Sequence, residues 1–131
     1  MRMNKQDIGK LGEKYAEKLL ISQNYRIVCR NFRSRFGEID LVAEDLSIRE
    51  IAFVEVKTRS SDLFGEPQDS VGHSKKMKLL KTALYFLNSS SRNNHFGWRV
   101  DVIAVKLSKL EKSPEITHFK NIFNGTGLSG C

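Results

Sequence analysis

The segment from Gly37 to Arg59 constrains the fold most strongly, because it places charges inside two runs of residues that are otherwise typical of buried strands. Side chains two positions apart in a strand point to the same face, so Glu38 shares a face with Asp40. Glu55 and Lys57 share a face in the same way. Unpaired charges are unfavourable in apolar surroundings. The pattern therefore predicts three carboxylates and a lysine that converge on a functional site.

Hydrophobic periodicity predicts the order helix, three strands, helix, and one or two further strands. The predicted elements are a helix over 5–22, strands over 25–33, 38–43 and 51–58, a helix from 70 or 73 to 88, a strand over 98–107, and a last strand or irregular extension over 116–123. Short turns imply an antiparallel meander, and a helical crossover then returns to the sheet. This is an α/β fold, with a mixed sheet flanked by helices and the third strand in its centre.

Several local features refine this prediction. Asn4 is placed to cap the first helix. In the first strand, Ile27, Cys29 and Phe32 are expected on one face. Asp101 lies in the apolar fourth strand, where a structural pairing with an arginine is favoured over a catalytic role.

Glu13 lies at the edge of the apolar stripe of the first helix. Two interpretations stay open. Glu13 could lean over the surface against which the helix packs, or it could be a surface residue that pairs with Lys10 one turn earlier.

The charge balance favours a polyanionic partner. The chain has 131 residues, with 22 Lys and Arg against 15 Asp and Glu, which gives a net charge of +7. Such a balance favours nucleic acid first and an anionic membrane surface second. A solvated basic surface without a partner is the alternative.

The length predicts a single domain, over residues 1–124, followed by a disordered tail over 125–131. Cys29 and Cys131 form neither a disulfide framework nor a zinc motif. The N-terminus lacks the apolar segment of a signal peptide, and no apolar run is long enough to span a bilayer. A cytoplasmic protein with no membrane association is expected.

The charged strand residues suit metal-dependent phosphodiester hydrolysis. Asp40 and Glu55 supply carboxylates, and the carbonyl of Val56 supplies a further oxygen, as Mg²⁺ or Mn²⁺ prefers. Lys57 could orient the attacking water or stabilise the phosphorane. An ordinary ion pair of Asp40 or Glu55 with Lys57, without metal, is the alternative.

Four lysines crowd the first half of the second helix, where cations oppose the helix dipole unless an anion lies nearby. Lys75 is the one expected to approach such an anion. Lys76 and Lys78 are interpreted as a solubilising face.

A wider pattern resembles a known family. Its parts are Gly12-Glu13, Asn31 with Arg33, Gly37–Val42, Phe53–Arg59, Phe64-Gly65, Lys75 and Arg99–Val102. Together they resemble the uncharacterised YraN family over roughly residues 8–106. That family is similar in turn to Holliday-junction resolvases and other PD-(D/E)xK nucleases of the restriction-endonuclease-like fold.

The resemblance implies a nuclease-type core. Asp40, Glu55 and Lys57 match the PD-(D/E)xK motif, although Ile39 replaces the proline that names it. Glu13 matches the helix glutamate of the archaeal-type resolvases and is therefore expected to assist in catalysis and metal binding. Glu38 has no counterpart in the core motif and is assigned at most an accessory role.

The sequence thus predicts a Mg²⁺- or Mn²⁺-dependent endonuclease that acts on DNA rather than RNA, including branched DNA. The residues expected to contact phosphates are Arg33, Arg35, Arg59 and Lys75. A homodimer would suit cleavage of two strands. The alternative is a nucleic-acid-binding module that retains the fold without catalysis.

Overall fold

The computed structural model describes residues 4–60, 72–89, 97–108 and 113–123. Within these ranges, two helices and five strands follow one another in the predicted order. Their bounds are α1 Lys5–Ser22, β1 Tyr25–Ser34, β2 Gly37–Asp45, β3 Glu50–Ser60, α2 His73–Ser89, β4 Gly97–Leu107 and β5 Glu115–Phe119. Residues 61–69 and 90–96, which lie between the predicted elements, and the predicted tail over 125–131 are outside the described residues.

The five strands form one mixed sheet in the order β1-β2-β3-β4-β5. Neighbouring strands are antiparallel except β3 and β4, which are parallel on either side of the α2 crossover. The α/β class, the meander and the central position of β3 are confirmed. β3 is central because it is apolar on both faces, as a strand covered on both sides must be.

Each helix covers one face of the sheet with its own hydrophobic core. On the α1 face, Ala16 and Leu20 pack with Leu41 and Val54. The other core packs on α2; it comprises Ile39, Val42, Ile51, Phe53, Leu79, Ala83, Phe86 and Val100. β2 and β3, which carry Asp40 and Glu55, therefore lie between the α1 core and the α2 core.

The face predicted for β1 is partly wrong. The register against β2 shifts between Ile27 and Cys29, so one extra residue is accommodated there. A bulge of this kind reverses the side-chain alternation beyond it. Ile27 consequently packs on the α1 core, whereas Cys29 and Phe32 pack on the α2 core.

The first helix approaches the sheet closely at Gly12. A Cβ placed on Gly12 would lie 1.8 Å from Oγ1 of Thr58 on β3. Only a residue without a side chain permits this approach.

The N-terminus of the first helix is capped by Asn4, whose Oδ1 accepts the Asp7 N–H at 2.8 Å, as predicted.

A buried polar network around Arg99 ties the opposite end of the sheet together. Its guanidinium donates to Glu50 at 2.8 Å, to Asp101 at 3.1 Å, and to the hydroxyl of Tyr25. Asp101 also contacts His118 Nε2 at 2.8 Å. The structural pairing predicted for Asp101 is confirmed, and this network joins β1, β3, β4 and β5.

Neither described helix has the length and apolar character needed to cross a bilayer.

Candidate active site

Asp40 and Glu55 lie where β2 and β3 separate. The ladder between these strands ends at the pair Leu41 and Val54, so Asp40 and Glu55 occupy the next positions outward. There the side chain of Asp40 replaces a backbone carbonyl, since its Oδ2 accepts the Val56 N–H at 2.8 Å. The ending of one ladder thus turns two strand residues into a facing pair of carboxylates.

Two lysines contact the carboxylate of Glu55. Lys57 Nζ lies 3.3 Å from Glu55 Oε2, and Lys75 Nζ lies 2.7 Å from the same oxygen. Only 9% of the Glu55 side chain and 13% of the Lys57 side chain is exposed, whereas 41% of Lys75 is. Lys75 therefore approaches an anion from α2, as its position predicts, and its partly exposed side chain keeps the freedom to move.

A groove of about 240 Å³ opens beside these groups. It is lined by Gly37, Glu38, Asp40, Glu55, Lys75, Lys78 and Leu79. Carboxylates and ammonium groups thus share one small, polar depression, which suits a substrate that carries negative charge together with a cation.

The carboxyl group of Asp40 is strongly perturbed. Burial, followed by the negative charge of Glu55, raises the pKa of Asp40 to about 7, although the hydrogen bond from Val56 opposes the shift. Two carboxylates in one buried site repel each other unless a proton or a cation neutralises them. The site therefore favours a positive charge next to Asp40.

Glu13 extends from α1 toward the same carboxylates. Burial, and then the charges of Glu38 and Glu55, raises the pKa of Glu13, while Lys10 lowers it to a smaller extent. This ranking of causes agrees with a Glu13 that leans over the sheet, and the charge of Lys10 has the smallest of the four effects on the pKa of Glu13.

The two lysines differ electrostatically. Burial, reinforced by the neighbouring Lys75, lowers the pKa of Lys57. Burial also acts to lower the pKa of Lys75, but its hydrogen bond to Glu55 and its other interactions outweigh burial and raise the pKa overall. Lys57 is thus the ammonium group that gives up a proton more readily, and Lys75 is the more firmly held positive charge.

The predicted phosphate-contacting arginines lie around the groove rather than in it. Arg33 is exposed and pairs with Glu38 at 3.6 Å. Arg35 lies over the ring of Phe36 in the turn between β1 and β2. Arg59 follows Lys57 on the same face of β3, and its guanidinium donates to the Thr58 carbonyl at 3.1 Å.

The sequence did not reveal every residue at the groove. Lys78, interpreted as part of a solubilising face, lines it directly. Its spacing of three residues from Lys75 is a signal that could have placed it there. Phe36 and Tyr85, which lie in ring contact at 6.2 Å beside the groove, left no such signal.

Donor chemistry decides whether this site suits a divalent cation. Among the described residues, no group of three or more His, Cys, Asp or Glu side chains is arranged to hold a metal ion. Mg²⁺ nevertheless often binds through one or two carboxylates, with water and substrate phosphate as its other ligands. Asp40 and Glu55 fit that mode, while the carbonyl of Val56 and the carboxylate of Glu13 stay predicted ligands.

Comparison with known proteins gives a consistent family match. A model of the family described as "Uncharacterised protein family UPF0102" matches residues 12–105. A UPF0102 protein of Thermodesulfovibrio yellowstonii is 42% identical over 117 residues, which cover 89% of this chain and 96% of that protein. A UPF0102 protein of Moorella thermoacetica is 41% identical over 123 residues, which cover 94% of this chain and all of that protein.

Similarity to a solved structure is much weaker. The crystal structure of a repair endonuclease from Pyrococcus abyssi matches with a TM-score of 0.42 and 17% identity, over 83% of this chain and 42% of that chain. A match at this level supports no conclusion about fold or function.

Proposed function

Because the chain belongs to the uncharacterised protein family UPF0102, whose description assigns no activity, we propose a function from its own site: metal-dependent hydrolysis of phosphodiester bonds in DNA, with Mg²⁺ or Mn²⁺ as the metal. The observation that carries this proposal is the facing pair of Asp40 and Glu55 beside Lys57, in a groove of a protein with a net charge of +7. A binding site for phosphate alone would not benefit from a buried carboxylate facing a half-buried one, since both repel the ligand.

In this proposal Asp40 and Glu55 hold the metal, and Glu13 assists from α1. The metal supplies a water of lowered pKa and neutralises charge on the phosphate. Lys75 has a long, partly exposed side chain, so it can leave Glu55 and contact a phosphate oxygen. Lys57 stays buried beside the reacting group, where it orients the water or stabilises the phosphorane.

Cleavage assays test the proposal. Labelled linear, nicked, branched and single-stranded DNA is incubated with the protein in Mg²⁺, in Mn²⁺ or in EDTA, beside an RNA strand of the same sequence. We expect cleavage of DNA in either metal, none in EDTA, and a loss of at least a hundredfold for Asp40→Asn and Glu55→Gln. Glu17→Gln is the matched control, since Glu17 is an acidic residue that pairs with Arg30 away from the groove. Cleavage that persists in both site variants overturns the assignment.

A second measurement separates metal binding from turnover. Calorimetric titration of the protein with Mn²⁺ should detect a site that Asp40→Asn removes and Glu17→Gln retains. Equal binding by the three proteins contradicts the proposed ligands, whatever the cleavage assays give.

One observation favours a second candidate, a nucleic-acid-binding module without catalysis. Glu55 already has two ammonium partners, Lys57 and Lys75, so the site can be neutralised in part by the protein itself. Salt-sensitive DNA binding with neither Mn²⁺ binding nor cleavage would select this candidate.

A further inference from the structure

We propose that Arg35, Phe36 and Tyr85 form a platform on which unpaired bases of the substrate strand stack, next to the groove that contains Asp40 and Glu55. We call these three residues the aromatic platform. The inference deepens the proposed function, because it specifies a substrate with a single-stranded stretch beside the bond to be cleaved. The cleavage of such a substrate rests on the proposed function, whereas the binding of unpaired bases to the platform does not.

The platform is built by the turn between β1 and β2 and by the outer face of α2. The guanidinium of Arg35 lies 4.9 Å from the centroid of the Phe36 ring. The rings of Phe36 and Tyr85 are 6.2 Å apart and inclined by 65°. A cation, a half-buried ring and an exposed ring thus lie side by side.

Gly37 joins this platform to the groove. It follows Phe36 directly and also lines the groove with Glu38 and Asp40. Its φ of 152° is a conformation that favours glycine, and a Cβ there would lie 3.4 Å from Thr82 Oγ1 on α2. The turn is therefore held against α2, so the platform has a fixed position relative to the site.

The geometry of α2 sets the distance between the aromatic platform and the groove. Tyr85 lies seven residues after Lys78, which corresponds to two turns on one helix face and to about 10 Å along the axis. Successive phosphates of a stacked strand are about 3.4 Å apart along the axis. A strand that places a phosphate near Lys78 therefore reaches Tyr85 within about three nucleotides.

Core packing uses only part of the Tyr85 ring. Tyr85 contacts Phe32 at 6.2 Å, but its neighbour Phe86 supplies the closer contacts, at 5.1 Å from Phe32 and 5.5 Å from Phe53, and 44% of Tyr85 stays exposed. An exposed aromatic ring beside cations is the combination that binds single strands, because bases stack on the ring while cations contact phosphates. Duplex DNA hides its base faces and cannot use the platform.

Binding assays in EDTA test this inference without cleavage. Fluorescence anisotropy is measured with three DNA probes of equal length: a single strand, the same strand with abasic nucleotides in its centre, and a blunt duplex. The wild-type protein should bind the base-containing strand more tightly than the abasic strand, which has the same charge. Tyr85→Ala should weaken binding of the base-containing strand about tenfold and leave the abasic strand and the duplex unchanged. Tyr85→Phe should retain wild-type binding.

Leu84→Ala is the matched control, because Leu84 is the neighbouring exposed apolar residue of α2, with 42% exposure, and is not part of the platform. Equal losses for all three probes in Tyr85→Ala, or a wild-type protein that binds none of them, would overturn the inference. It would also be overturned if Tyr85→Ala dissociated a dimer, as seen by light scattering, without changing DNA binding. Base-dependent binding without cleavage in Mg²⁺ would support the platform even though it would remove the proposed hydrolysis.

Discussion

Asp40 is positioned for chemistry at the expense of stability in the metal-free protein. Burial and the adjacent Glu55 raise the pKa of Asp40 to about 7, whereas an aspartate in the unfolded chain titrates near pH 3.9. Between these values the folded state binds more protons than the unfolded state. Stability is therefore lost as the pH rises from about 4 to 7, and it is not regained above 7.

Asp40→Asn should accordingly stabilise the metal-free protein. At pH 8 we expect an increase in the free energy of unfolding on the order of 1–2 kcal/mol, since the amide removes the repulsion and can still accept the Val56 N–H. The difference should shrink toward pH 4, where the carboxyl of the wild type is protonated. Urea denaturation in EDTA at the two pH values measures this, and a variant that is less stable at pH 8 would refute the interpretation.

Arg99 shows the opposite relation, in which a buried charge supports the fold. Only 6% of its side chain is exposed, and its acidic partners include Glu50 and Asp101. Removing one member leaves the others buried without compensation. Arg99→Ala should lower the free energy of unfolding by about 3–5 kcal/mol.

The control for Arg99→Ala is Arg26→Ala. Arg26 also pairs with a carboxylate, that of Glu44 at 2.7 Å, but 52% of the Arg26 side chain is exposed. Glu44 itself is buried, yet it keeps a second partner, Arg49 at 3.0 Å, when Arg26 is removed. Arg26→Ala should therefore cost only about 0–1 kcal/mol, as the loss of an exposed ion pair does. Denaturation curves that show equal losses for the two variants would contradict a structural role for the Arg99 network.

At the scale of the elements, the contact of α1 with β3 places Glu13. Gly12→Ala forces a Cβ into the side chain of Thr58, which is short and branched and cannot move aside. We expect a loss of about 1–3 kcal/mol in the free energy of unfolding and weaker Mn²⁺ binding, because α1 must move away from the sheet. Gly9→Ala is the control: no atom lies within 4 Å of its added Cβ, so this variant should be neutral or up to about 1 kcal/mol more stable.

The double variant Gly12→Ala with Thr58→Ala tests whether the stability lost in Gly12→Ala comes from the steric clash with Thr58. Thr58→Ala removes Oγ1 and Cγ2 and should partly restore the stability of Gly12→Ala. Additive losses in the double variant would show that the two positions do not interact.

Element order was predictable from the sequence because each strand and helix has its own hydrophobic period. The side-chain face of β1 was not predictable beyond Ile27, since a bulge adds one residue without any change in composition. β2 extends to Asp45 rather than ending at Ala43 because Glu44, predicted in the turn, pairs with Arg26 across the strands.

At the scale of the whole molecule, the pairing of Asp40 with Glu55 was predictable because both lie in one strand pair, where spacing fixes the facing positions. The places of Phe36 and Tyr85 beside the groove were not predictable, since they depend on how α2 is rotated against the β1–β2 turn. That rotation is set by tertiary packing of Leu79, Ala83 and Phe86, which local periodicity does not define.

The net charge of +7 contributes to DNA binding only where the cations face the strand. Two of the exposed lysines among the described residues lie in contrasting positions. Lys78 lines the groove with Asp40, whereas Lys120 lines a different pocket with Tyr25 and His118, at the Arg99 end of the sheet. Lys78→Ala and Lys120→Ala each remove one positive charge from the molecule. A difference between the two variants therefore reports local contact with DNA and not the net charge.

Each phosphate contact that is lost reduces the magnitude of the slope of log K against log salt concentration by about 0.7 for single-stranded DNA. Lys78→Ala should therefore bind single-stranded DNA with a slope about 0.7 smaller in magnitude than the wild type, and Lys120→Ala should keep the wild-type slope. The measurement is anisotropy at several salt concentrations in EDTA. Equal changes in the two variants would indicate that attraction arises from the net charge of the molecule, and the groove would then not be where the phosphates bind.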